Sequence, residues 1–203
     1  MPRQALRRFL TLLLPAGVLA ITAGSAHAHA GHEYGSFMAG FEHPLHGLDH
    51  LLAMVTVGLL SARMAARRMW TLPMAFVGMM ACGGLLALAW SHEGLIVFEW
   101  GIMLSVLIFG LIAAIGKKIS LLTGSLIVAV FAICHGHAHV AEMGEMSALG
   151  YFPGMLLCTA GLHMLGLVVG IILKEAIGEW TIRAGGALIA TGFALMLMFQ
   201  WMG

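Results

Sequence analysis

An all-α membrane bundle is the fold this sequence predicts, on three observations. The 203 residues are 61% hydrophobic and only 9% charged, against about 25% charged in a typical soluble domain. The apolar residues gather into runs near the ~20 residues that a helix needs to cross hydrocarbon. The few charges fall in short connectors between those runs. One membrane domain uses up the chain and leaves no room for a separate soluble catalytic module. Ten Lys and Arg with a net charge of +1 argue against a nucleic-acid partner. The lipid bilayer is the partner that composition demands.

The elements follow in chain order. Arg3, Arg7 and Arg8 precede the apolar run 9–23, and Ala26-His27-Ala28 follows it, the pattern of a cleavable secretory signal. Residues 1–28 are therefore expected to be removed, the alternative being an uncleaved first helix. Residues 29–42 form a periplasmic N-terminal segment. Residues 43–203 form a six-helix transmembrane domain with spans at about 43–62, 71–90, 95–115, 119–140, 151–173 and 181–202. Arg63, Arg67 and Arg68 follow the first span, Lys117 and Lys118 the third, and Lys174 and Arg183 flank the fifth connector. The connectors around His92-Glu93 and Glu142–Glu145 carry no Lys or Arg. The positive-inside rule puts the basic connectors in the cytoplasm, and a secretory signal independently puts residue 29 outside. Both mature termini are thus expected in the periplasm, with the chain in a bacterial inner membrane.

Two histidine-rich clusters break the apolar pattern: His43-Pro44-Leu45-His46-Gly47-Leu48-Asp49-His50 and His135-Gly136-His137-Ala138-His139-Val140-Ala141-Glu142. Ionisable groups cost roughly 2.5–3.5 kcal/mol each on insertion scales, so they need a reason. Imidazole with carboxylate is a ligand set for borderline divalent metals such as nickel, cobalt and zinc. The expected topology places both clusters at the outer ends of their spans. At ~1.5 Å per residue, His50 and His135 then lie at similar depth, with His43, His139 and Glu142 shallower. At ~100° per residue, His43, His46 and His50 share an arc of ~60°, with Asp49 beside it, and His135, His139 and Glu142 share a similar arc. Pro44 is expected in a first helical turn, where its missing N–H costs nothing. Gly40 and Gly47 hint at irregular backbone there, as at ion sites built on broken helices.

Other polar groups admit two readings. Glu99, one turn into the third span, reaches the same depth or snorkels to the surface. His163, midway along the fifth span, is a deeper relay ligand or a buried histidine bonded to a neighbour. His29 and His32, with Glu33, capture metal at the entrance or form a polar tail. His137 points away from its neighbours, and His92 with Glu93 belongs to a solvated loop. Cys82, Cys134 and Cys158 lack CxxC spacing and read as small core residues, with Cys134 open as a soft ligand. The 16 methionines read as apolar filler, and Gly166 with Gly170 as close helix packing. There is no GxxxxGK[ST], HExxH, GxSxG or CxxCH, so P-loop ATP use, zincin chemistry, a hydrolase elbow and c-type haem lose their sequence support.

The first cluster, continued by Ala53-Met54 and Val57-Gly58, resembles the HPxxGxDHxxAMxxVG signature of the HupE/UreJ family of nickel/cobalt permeases. His135-Gly136, Ala138-His139 and Glu142 resemble its second signature, HGxAHGxE, with Val140 in place of the usual glycine. Glu99 with Gly101, Ser105-Val106-Leu107, and His163 with Gly166 are weaker echoes. The resemblance covers essentially the whole chain. It implies uptake of Ni²⁺, with Co²⁺ as the alternative ion. The residues expected to carry the ion are His43, Asp49, His50, His135, His139, Glu142, Glu99 and His163, with His46, at a variable position of the signature, added by its place in the first cluster. The resemblance also implies no catalytic residues, no resident cofactor and an indirect link to maturation of nickel enzymes such as hydrogenase or urease. Self-association into a homo-oligomer is left open. Two other classes share the ligand set: a zinc-dependent intramembrane hydrolase, and a metal-binding accessory protein without flux.

Overall fold

The computed structural model describes residues 32–89, 95–117 and 119–202. The expected signal peptide, His29, His92 and Glu93 lie outside them, as does the side chain of His32. Among the described residues every regular element is an α-helix. They are α1 (His32–His46), α2 (Leu48–Ser61), α3 (Thr71–Ala89), α4 (Leu95–Ile115), α5 (Leu121–Ala141), α6 (Ala148–Ala176) and α7 (Trp180–Met202). Helices α3 to α7 are long and apolar enough to cross a membrane. Their bounds lie within a few residues of the second to sixth expected spans.

The first expected span, 43–62, takes a different form. Pro44 sits in the last turn of α1, not in the first turn of a span. Its ring nitrogen cannot donate to the helical ladder, and Gly47 leaves helical geometry (φ −96°, ψ 120°) to become the N-cap of α2. Helix α2 has 14 residues, roughly 21 Å of helix, short of the ~30 Å of hydrocarbon. The chain ahead of it is a helix in its own right. The common arc expected for His43, His46 and His50 therefore fails. The break puts His43 and His46 on α1, and Asp49 and His50 on α2.

Helix α2 lies among α1, α3, α4, α6 and α7, while α1 packs on α6, α3 on α5 and α4 on α7. Glycines set how closely these pairs approach. A Cβ on Gly58 would stand 2.2 Å from the His163 carbonyl, and one on Gly166 would stand 2.1 Å from that of Val55. Only glycine allows α2 and α6 to touch there, which brings His163 against α2. In the same way a Cβ on Gly136 would stand 1.9 Å from the Met80 carbonyl, so α5 carries its histidines right up to α3.

Polarity is reversed relative to a water-soluble protein. Met74, Leu149 and Leu188 are more than 70% exposed, whereas His135, His139, Thr159 and Ser105 are fully buried. Buried hydroxyls of Thr56, Ser61 and Ser105 donate to carbonyls of their own helices, which hides them without a neighbour's help. Apolar residues outside and polar residues inside suit a bundle solvated by lipid. Cys82, Cys134 and Cys158 are free thiols, and the Cys134 sulfur lies over Gly101 of α4.

Candidate metal-binding site

The two clusters meet at one end of the bundle. His43 comes from the last turn of α1, Asp49 and His50 from the first turn of α2, His135 and His139 from the last turns of α5, and Glu142 caps α5. The His139 ring centroid is 4.7 Å from that of His43 and 4.4 Å from that of His50. His50 in turn lies 5.3 Å from His135. The imidazoles thus run in file from the half-exposed His43–Glu142 pair to fully buried His135. Ligand atoms of His43, His139 and Glu142 all lie within 4.8 Å of one another. A shared cation with bonds of about 2.0–2.2 Å holds its ligands at most about 4.4 Å apart, so only a small closure separates this trio from coordination.

Hydrogen bonds decide which ring nitrogens are available. The Nδ1 of His135 lies 2.8 Å from the Phe131 carbonyl. A carbonyl only accepts, so Nδ1 carries the proton and Nε2 keeps the lone pair. Asp49 does the same for His50. Its Oδ1 accepts from both the His50 amide and Nδ1, each at 2.8 Å, which leaves His50 Nε2 as the bare nitrogen. Among the described residues, the buried Nε2 atoms of His50 and His135, and both ring nitrogens of His139, have no hydrogen-bond partner. A buried polar atom without a partner carries a desolvation cost of about 1–3 kcal/mol. These atoms sit on neighbouring rings, and a carboxylate and a carbonyl set the tautomers of His50 and His135, the kind of orienting partner that metal-binding imidazoles use. Gly47 makes room for it, because a Cβ there would stand 2.6 Å from His50 Nδ1 and 2.8 Å from Asp49 Oδ1.

Glu142 Oε2 lies 2.8 Å from His43 Nε2. That bond pulls the Glu142 carboxyl below the ordinary carboxylate range, outweighing the partial burial that pushes it up. The Glu99 carboxylate of α4 meets that of Glu142 and lies within electrostatic reach of His50 and Asp49. Three acidic side chains from three helices thus border the imidazoles.

The remaining candidates fall elsewhere. His46 is exposed and joins none of these ring contacts. His137 stacks on Phe98 of α4 at 3.7 Å, on the other side of α5. His163 is nearly fully buried, and both its ring nitrogens lack a hydrogen-bond partner. The Phe76 ring separates it from the cluster, 5.2 Å from His135 on one side and 5.0 Å from His163 on the other.

Three residues at this site are absent from the sequence-based set. Phe76 of α3 reads as an ordinary core aromatic. Thr159 lies one turn before His163 on α6, with a buried hydroxyl that has no partner. Tyr151 packs its ring 5.8 Å from His43 and buries an unpartnered hydroxyl. It is one of only two tyrosines in the chain, at the expected outer end of a span, and that position is the signal that points to it.

Fold and site together define a polytopic helical membrane protein that gathers imidazoles and carboxylates at one end of its bundle. The family model described as HupE / UreJ protein matches residues 17–195. The chain is 39% identical over 174 residues to Protein HupE of Rhizobium leguminosarum bv. viciae, covering 85% of this chain and 90% of that protein. The chain belongs to the HupE/UreJ family. No solved structure matches it.

Proposed function

We propose that this protein carries Ni²⁺, with Co²⁺ as the alternative cargo, across the bacterial inner membrane from periplasm to cytoplasm. The ion supplies nickel enzymes such as hydrogenase or urease. The observation that carries this reading is the set of buried, unpartnered ring nitrogens of His50, His135 and His139, met by the His43–Glu142 pair. In this reading the histidine end faces the periplasm and both mature termini lie on that side. His29 and His32 meet the hydrated ion at the entrance. Imidazoles of His43, His50, His135 and His139, with carboxylates of Glu142, Glu99 and Asp49 near by, replace its water shell. His163 takes the ion next, beyond Phe76, and His46 stays at the rim. Binding must be strong enough to dehydrate the cation yet weak enough to release it. The chain makes and breaks no covalent bond in this role and needs no resident cofactor.

The test is flux. Reconstituted in vesicles holding a fluorescent metal indicator, the protein is expected to admit Ni²⁺ and Co²⁺ down their gradients. Metal binding without accumulation would replace transport by a delivery role. Tightly retained zinc with turnover of a lipid or amide would replace it by hydrolysis.

A further inference from the structure

The end of the bundle opposite the histidines holds a cavity of about 500 Å³ that the uptake reading does not use. Four cationic side chains line it: Arg63 after α2, Arg68 before α3, Lys117 after α4 and Lys174 near the end of α6. The single acidic residue in the wall is Glu179. Four cations against one carboxylate leave the lining at a net +3. Leu60, Leu72 and Ile112 supply aliphatic wall beside these charges.

Part of this charge has a structural task. Arg63, whose side chain is 10% exposed, donates from Nε to Glu179 at 2.9 Å and from its terminal nitrogen to the Gly116 carbonyl. Lys174 donates to the Ala62 carbonyl at 3.3 Å. Both satisfy carbonyls at helix C-termini, where cations are favoured. The Arg68 and Lys117 side chains make no hydrogen bond or ion pair among the described residues. A rule that counts cations on one side of a membrane explains which side they occupy. It does not explain why four, from four separate segments, turn onto one cavity. A concave wall of one sign focuses the field and concentrates counter-ions. An arginine fork with ammonium groups suits the oxygens of a phosphate, and the volume is that of a small-molecule site.

We infer that this cavity is an anion site that takes a phosphate group, carried either by a soluble ion or by an anionic lipid whose chain lies along the aliphatic wall. Arg68 and Lys117 are its uncommitted ligands, and Arg63 and Lys174 its fixed ones. The bound anion supplies counter-charge to Arg68 and Lys117, which make no ion pair among the described residues.

The test uses the full chain and needs no transport. Inorganic phosphate is titrated calorimetrically onto protein in neutral detergent. In parallel, native mass spectrometry scores phosphatidylglycerol retained from mixed phosphatidylglycerol–phosphatidylcholine nanodiscs. Phosphate binding identifies a soluble ligand, and selective phosphatidylglycerol retention alone identifies the lipid. In either case Arg68→Gln and Lys117→Gln each weaken binding several-fold, and the double variant weakens it about tenfold or more. Arg67→Gln, an exposed neighbour outside the cavity wall, stays within about twofold of the parent, as a solvated surface charge should. Helical circular dichroism and Co²⁺ binding at the other end confirm that the variants fold. Absence of both ligands overturns the inference. So does an equal loss in Arg67→Gln and Arg68→Gln, which would mean bulk surface charge.

Discussion

His135 and His163 are both buried imidazoles on long helices, 10.2 Å apart along the path through Phe76 if the two ring separations are added. They are held in different ways. His135 has its tautomer set by the Phe131 carbonyl and has His50 as a neighbour, itself set by Asp49. His163 has neither a hydrogen-bond partner on its ring nor a second imidazole beside it. In the proposed uptake the first arrangement grips the cation and the second passes it on. Burial alone leaves the tautomer open. A partner fixes which nitrogen stays bare on His50 and His135. His139, like His163, has no partner on either ring nitrogen among the described residues, and differs from it by lying between the rings of His43 and His50.

The largest effect that tests this contrast is loss of a cluster ligand. His50→Ala or His139→Ala is expected to lower Ni²⁺ uptake by about 100-fold or more, with normal amounts of protein in the membrane. Near-normal uptake by either would remove the cluster from the path. Asp49→Asn keeps a side-chain oxygen but gives up the charge that orients His50, and should weaken Ni²⁺ affinity by roughly 10–100-fold. If the affinity matched the parent, the tautomer argument would fail.

Acid comes next. Ligating imidazole is neutral, so protons compete with metal, and uptake should fall as the medium is acidified. Glu142 does not set this limit. Its carboxyl is held low by His43, so its contribution is complete above the ordinary carboxylate range and is lost only as pH falls through its depressed value. Equal ⁶³Ni uptake down to the pH at which the protein unfolds would contradict imidazole ligation.

His163→Ala separates the two stations directly. Equilibrium binding of Co²⁺, read from its visible spectrum, should stay within about twofold of the parent, because the cluster is untouched, while vesicle flux drops about tenfold. A parallel loss of both would merge the stations into one site. The mildest change is Gly47→Ala. Its methyl presses on the Asp49–His50 pair and should reduce affinity by a few-fold at unchanged helix content. A helix-content loss there would mean that Gly47 serves only the chain break.

Much of this is legible in the sequence alone. Five of the six expected spans lie within a few residues of α3 to α7, because a helix in lipid announces itself by a long apolar run bounded by charge. Both histidine motifs, and the family they resemble, were legible for a related reason: ionisable residues stand out where almost nothing else is polar. The break at Gly47 was only hinted at. Pro44 is acceptable in either the first or last turn of a helix, and local sequence does not say which. Phe76 and Tyr151 are not legible because an aromatic in an apolar run looks the same whether or not it faces an imidazole.

Composition and spacing thus sufficed for the kind of protein this is, for its helices, and for the residues with metal-binding chemistry. Those properties are local, written in hydropathy and in side-chain type. The order of the imidazoles, Phe76 between His135 and His163, and the convergence of four cations on one cavity depend on which helices touch. Those contacts are set by glycines such as Gly58, Gly136 and Gly166, whose meaning appears only once the backbone that each admits is known.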